Sequence, residues 1–264
     1  MAKRRKMIYA GRMVCGVVYS AAYPSDAPHV RQGKSRMSTQ ARQAINLRRA
    51  WQKLELLLAA NFDESALVLG LTYREEDLPG YRAEAVRRLR RFISLLREHR
   101  RRQGRTLPYI YVTEGLHTHG RLHHHMVIDG GPGDLEAVRA LWEYGEQVEV
   151  ERLDVYGYEA LAKYLTKEPR EFGGTGGARS WTPSRGLKKP EAVGGWVSDD
   201  TALMPPPGCA VLDRREAQNE FGGYTYIKYL LPEFKPRKVR APSRVGREVC
   251  SVASGGRESA QRLD

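Results

Sequence analysis

The chain has 264 residues, and its 44 Lys and Arg against 31 Asp and Glu give a formal charge of +13. That length suits one domain with extensions, and the charge makes a field that favours a phosphate-bearing partner. Three cysteines, Cys15, Cys209 and Cys250, lie without C-x-x-C spacing, which argues against a disulfide framework and fits a reducing cytoplasm.

The elements follow in chain order. Lys3 to Lys6 and the apolar run Met13 to Tyr19 imitate a secretory leader, but Arg12 directly precedes the run, which also reads as a β-strand. Ser38 can cap a helix to about Ala60, with Ile45, Leu47, Trp51, Leu54, Leu57 and Leu58 supplying an apolar face. Residues 66–73 form a strand, and Leu78-Pro79-Gly80 a turn. A basic helix over 82–102 carries the stripe Leu89, Phe92, Ile93 and Leu96. Residues 108–114 and 122–129 are strands joined by a Gly-bounded loop. Asp134 can cap a helix ending near Tyr144, 147–153 alternate as a strand, and 157–168 form a helix whose buried stripe is Tyr158, Leu161, Ala162 and Leu165. Gly173 to Gly177 make a flexible loop, Pro205-Pro206-Pro207 interrupts regular structure, and 221–233 hold one more strand. From Pro236 the chain reads as a basic disordered tail.

Strand, helix, strand, strand, helix, strand is the split βαβ pattern of ferredoxin-like and RNA-recognition folds. The fold class is therefore α+β: an antiparallel sheet with helices on one face, an N-terminal basic helix and a C-terminal extension. The positive charge is localised. Residues 1–60 hold twelve basic and two acidic side chains, and residues 82–105 ten Arg and two Glu. A merely solvated face would mix the signs, so nucleic acid is the expected partner. Neither segment has an unbroken apolar face to insert in a membrane, and no apolar run approaches the roughly twenty residues of a span.

In the strand RLHHHMVID, His123 and His125 project to one face and His124 to the other. Glu114 ends the preceding strand and, across a hairpin, can reach the same face. Two imidazoles and a carboxylate with open positions suit Mn²⁺ or Mg²⁺ acting on a phosphate. A second pair, His117 and His119, lies between Gly115 and Gly120, where nothing fixes its direction. Tyr164, off the buried stripe of its helix, is the candidate nucleophile.

YVTEG, GRLHHHMVI and Tyr164-Leu165-Thr166-Lys167 together resemble the three elements of HUH endonucleases, specifically the rolling-circle replication initiators of phages and plasmids. LGLTYREEDLP is similar to the first motif of those initiators, and SWTPSRGLKKP and NEFGGYTYIKYLLPE are similar to segments after the catalytic helix in phage-type members. The resemblance covers roughly residues 40 to 232. It implies a divalent metal at Glu114, His123 and His125, a nucleophile at Tyr164, a supporting role for Lys167 and a 5′-phosphotyrosine link. Some phage initiators carry a second tyrosine one helical turn earlier. Here that position is Ala160, so the chain looks like a single-tyrosine enzyme.

The organisation this implies is a basic segment with a flanking helix over 1–60, the endonuclease domain over 61–232 and a tail over 233–264. Arg179, Trp181 and Arg185 can clamp and stack the bases of single-stranded origin DNA, although Trp181 reads equally as a core residue. No G-x-x-x-x-G-K-[ST] loop occurs in the sequence, so a host helicase and polymerase, in the cytoplasm of a bacterial cell, are the expected partners. Two rivals stand beside this reading. One is a single-tyrosine transposase or mobilisation relaxase, and the other a non-catalytic single-strand binder on the RNA-recognition fold.

Overall fold

The computed structural model describes residues 2–21, 40–115, 121–145, 147–167, 181–219 and 222–233. Among these, two antiparallel five-stranded sheets and four helices form an α+β fold. The sequence-predicted core is β3 (Leu67–Leu71), α2 (Arg82–Arg102), β4 (Tyr109–Glu114), β5 (His123–Ile128), α3 (Asp134–Leu141) and β6 (Val148–Arg152). Its sheet has the order β6-β3-β5-β4, extended at the β4 edge by the short β7 (Thr182–Pro183).

Each face of this sheet is covered. Leu67, Leu69, Leu71, Tyr111, Met126 and Ile128 point to α2 and α3, whose Leu89, Phe92, Ile93, Leu96 and Val138 complete one core. This is the single covered face expected from the split βαβ pattern. Ile110, Val112 and Val127 point the other way, to α1 (Gln40–Asn61) and α4 (Tyr158–Leu165), through Leu54, Leu58, Tyr158, Ala162 and Leu165. Alternation along β4 and β5 thus feeds two cores with one set of strands. The α1 face is narrower than expected, because Ile45 is exposed.

The second sheet has the order β8-β1-β2-β10-β9, from β1 (Ala2–Ala10), β2 (Met13–Ala21), β8 (Glu191–Val197), β9 (Ala210–Asn219) and β10 (Gly222–Leu230). The Met13–Tyr19 run and the final strand are evident from sequence, but not their pairing into one sheet. The stretch Lys3 to Lys6, which reads as a leader, is a central strand between β8 and β2. Gly11 turns the β1–β2 hairpin at φ 58°, and a Cβ there would lie 2.2 Å from the Ala59 carbonyl oxygen of α1, so a glycine is needed where hairpin and helix touch.

Several arginines of α2 are structural. Arg100 is fully buried, donates to both Asp134 oxygens at 3.1 and 2.9 Å, and also bonds Asp129. Asp134 does not cap α3. Gly133, in the left-handed region, precedes the helix, and the Asp134 side chain is buried against Arg100 and Arg105. Arg82, Arg87, Arg88, Arg91, Arg101, Arg102 and Arg105 also reach carboxylates or carbonyls. Much of the charge on this helix is therefore spent internally. Cys15 and Cys209 are free thiols, and no helix among the described residues is long and apolar enough to cross a membrane. Ser38, Gly173 to Gly177, Cys250 and the segment from Pro236 lie outside the described residues.

Replacing Arg100 with Met leaves a buried carboxylate with one cation fewer. Urea unfolding should show a loss of about 3 kcal/mol, partly restored in Arg100→Lys. A change below about 0.5 kcal/mol, as for surface sites, would show that the Arg100–Asp134 pair does not anchor α2 to α3.

Candidate metal centre and tyrosine helix

Glu114 pairs directly with His123 across β4 and β5, and Val112 with His125. Paired residues share a face, so the register alone gathers Glu114, His123 and His125 on the side covered by α4. Gly115, at φ 102°, ends β4 immediately after the carboxylate, and a Cβ there would lie 2.6 Å from the Arg121 carbonyl oxygen. The glycine lets the chain leave the sheet where Glu114 must stay on it.

The three donors converge. Glu114 Oε2 lies 3.4 Å from His123 Nε2 and 3.5 Å from His125 Nε2, and the two Nε2 atoms are 3.1 Å apart. His123 Nδ1 is 2.9 Å from the Arg121 carbonyl oxygen. A carbonyl only accepts, so Nδ1 carries the proton and the lone pair of neutral His123 sits on Nε2, facing inward. One ligand atom from each residue lies within 4.8 Å of the others. Glu114 is buried, and its Oε1 has no hydrogen-bond partner. A buried carboxylate oxygen without a donor, beside two inward-facing imidazole nitrogens, fits a cation, and the group can hold a metal ion.

His124 points to the other core and is fully buried. Its Nε2 is 2.7 Å from the Tyr73 hydroxyl, which donates to the Ala85 carbonyl, and its Nδ1 is 2.9 Å from Thr113 Oγ1. Burial holds its pKa down to about 3, so it is a neutral imidazole. It does more than fill space, because it locks β5 to β4 and to the α2 side while its neighbours face the carboxylate.

Tyr164 is carried by α4, whose Tyr158, Ala162 and Leu165 are buried while Tyr164 remains 44% exposed. Its hydroxyl lies 3.1 Å from His125 Nε2. Lys167, just past the helix, places Nζ 3.0 Å from Glu114 Oε2 and 3.9 Å from the centre of the Tyr164 ring. Burial alone would raise the Glu114 pKa. The hydrogen bonds from His123, His125 and Lys167 outweigh it, so the carboxyl stays ionised well below the usual range. The bond to Glu114 raises His123 in turn. For Lys167 burial acts downward, but its contact with Glu114 prevails and the ammonium is retained.

A buried ion network fixes α4 from behind. Lys228 of β10 bonds Glu55 of α1 at 2.7 Å and also bonds Glu159 of α4, and Lys163 of α4 sits 4.9 Å from the Trp51 ring centre. This network was not among the residues singled out from sequence. Its signal was a lysine in the inward phase of the apolar strand YTYIKYLL.

Of the remaining expected residues, Trp181 is half-buried and packs on the α1–α4 core. It lines a groove of about 890 Å³ with Arg49, Lys53, Leu57 and Lys189, whose cations the sequence pattern did not single out. Arg185 is exposed and outside that lining. Arg179, His117 and His119 lie outside the described residues.

Residues 66–169 match the family model of ORF2-type replication-associated proteins. That span holds Glu114, His123, His125, Tyr164 and Lys167, and the match supports a Rep-like replication initiator. No curated protein and no solved structure matches the chain.

Calorimetric titration with Mn²⁺ should give one site per chain, lost in Glu114→Ala and His125→Ala and kept in His124→Ala, whose penalty falls on stability. Equal Mn²⁺ binding by wild type and Glu114→Ala would exclude this cluster as the ion's seat.

Proposed function

We propose that the protein initiates rolling-circle replication by nicking and rejoining single-stranded DNA through a covalent 5′-phosphotyrosine at Tyr164, with Mn²⁺ or Mg²⁺ as cofactor. One observation carries the reading: the Tyr164 hydroxyl lies 3.1 Å from His125 Nε2, at the edge of the Glu114–His123–His125 cluster. A divalent ion held there would neutralise charge on a non-bridging oxygen of the scissile phosphate.

The chain's own groups supply the rest. A phenol with an ordinary pKa near ~10 is a weak nucleophile at neutral pH. The Lys167 ammonium over the ring favours the phenolate, and Glu114 holds that ammonium in place. Tyr164 Oη forms a bond to phosphorus as the bond to O3′ breaks, and the proton lost by the phenol ends on the 3′-hydroxyl. One ester replaces another, so the energy of the phosphodiester is retained and the 3′-hydroxyl can reverse the step. A dedicated protein base is unnecessary, because both imidazoles are committed to the ion. Trp181 with Arg49, Lys53 and Lys189 offers a stacking surface and cations for the strand beside the nick.

A non-catalytic binder of the RNA-recognition type stacks bases on an open sheet face. Here the face with His123 and His125 lies beneath α1 and α4, which favours the enzyme reading. The initiator would rely on a separate helicase and polymerase.

The test is incubation with a library of short single-stranded DNAs and Mn²⁺, read on denaturing gels. Wild type should cleave without nucleotide triphosphate. Tyr164→Phe should lose cleavage by at least about 10³-fold, within the range covalent nucleophiles supply, while binding single strands as before. His123→Ala and His125→Ala should lose metal stimulation. Undiminished cleavage by Tyr164→Phe would move the nucleophile elsewhere.

A further inference from the structure

The second sheet presents a row of aromatic and cationic side chains that the nicking site does not use. Trp196 pairs with Arg4, Arg4 with Tyr19, and Tyr19 with Tyr224, across β8, β1, β2 and β10. Directly paired residues share a face, so the four stand side by side over three inter-strand steps of ~4.8 Å each. The next row inward is Gly194, Lys6, Val17, Tyr226 and Arg215. Trp196 and Tyr224 are each 42% exposed, and Arg4 and Lys6 are exposed as well. The Arg4 guanidinium lies 5.1 Å from the Trp196 ring centre. Further along the same face Cys15 and Lys228 are buried, as the sheet passes under α1. The opposite face is closed by Val14, Val18, Ile227 and Tyr229 packed with Leu203.

We propose that this open face is a second binding site, a stacking platform for two or three unpaired nucleotides of single-stranded DNA. The charge is complementary. Among the described residues neither Arg4 nor Lys6 makes an ion pair, and the acid on this face, Asp213, is held by Arg215. This contrasts with α2, where most arginines are paired internally. Flat aromatic surfaces interleaved with free cations take base faces and phosphates together, with little preference for sequence. A four-stranded sheet whose aromatics point outward stacks two or three bases. Insertion into a lipid surface would require an aliphatic patch, and Arg4 and Lys6 interrupt this one. The choice of DNA over RNA rests on the replication reading above. The platform is tied to the tyrosine helix, since β10 carries both Tyr224 and Lys228, and Lys228 bonds Glu159. A strand bound on it would stay tethered when the nick is open.

The test uses the full chain with Tyr164→Phe and no added metal, so that it is independent of nicking. Binding of a labelled oligothymidylate of about fifteen nucleotides, long enough to fill one such site, is followed by anisotropy and tryptophan fluorescence. Trp196→Ala with Tyr224→Ala should weaken binding by at least about tenfold, as expected for two lost stacking contacts, with Trp196→Phe close to the parent. Quenching seen on binding should be largely lost in Trp196→Phe. Should the double variant fail to fold, Arg4→Glu with Lys6→Glu, both exposed, gives the same reading by anisotropy. Affinity changes below twofold with quenching intact in Trp196→Phe would overturn the platform, as would equal competition by duplex DNA. Tighter binding of oligouridylate than of oligothymidylate would overturn its assignment to DNA. A chain that binds as expected but does not nick would refute the proposed enzyme and leave the platform standing.

Discussion

The site depends on the register of two strands. Glu114 sits opposite His123, and Val112 opposite His125. A slip of one residue would turn His124 toward α4 and bury His123 and His125 in the core under α2, because side chains alternate strictly along a strand. Three local features resist the slip. Gly115 ends β4 with a backbone that other residues rarely adopt. His124 bonds Thr113 and Tyr73 on the far face. The two apolar sets, Met126 with Ile128 and Val112 with Val127, each fit only one core. The stability of two cores thus fixes the direction of three polar side chains.

The second sheet supplies what the split βαβ unit lacks. A lone helix of eight residues is marginal in water, yet α4 must hold Tyr164 within reach of the histidines. Lys228 reaches from β10 to Glu55 and Glu159, so a central strand of one sheet grips the helix that faces the other. Buried ion networks of this kind contribute little net stability but are costly to break. That asymmetry suits positioning. The α1 helix completes the grip through Leu54, Leu58 and the Trp51–Lys163 contact.

Much of this was legible in the sequence, and the losses have physical causes. The strands from 66 to 152 and helix α2 were readable because alternation and a 3.6-residue stripe are local signals. The proximity of Glu114, His123 and His125 was readable because a hairpin converts strand position into spatial position. The second sheet was not. Its strands come from opposite ends of the chain, and Lys3 to Lys6 carry charges that local pattern assigns to a leader rather than to a central strand. Asp134 was misread for a related reason: an acid at a helix start looks like a cap, while its partner Arg100 lies 34 residues away. The basic character of α2 likewise overstated its open charge, since pairing with Glu84, Glu98 and Asp134 depends on packing that composition does not encode.

The metal-binding cluster and Tyr164 are proposed to form one site for strand transfer. That claim is tested most directly by trapping wild-type protein with single-stranded DNA and Mn²⁺, digesting the adduct and locating the attached nucleotide by peptide mass spectrometry. The expected result is a 5′-linked nucleotide on the peptide containing Tyr164. Attachment at Tyr156 or Tyr158, or free 5′-phosphate ends with no protein attached, would contradict it.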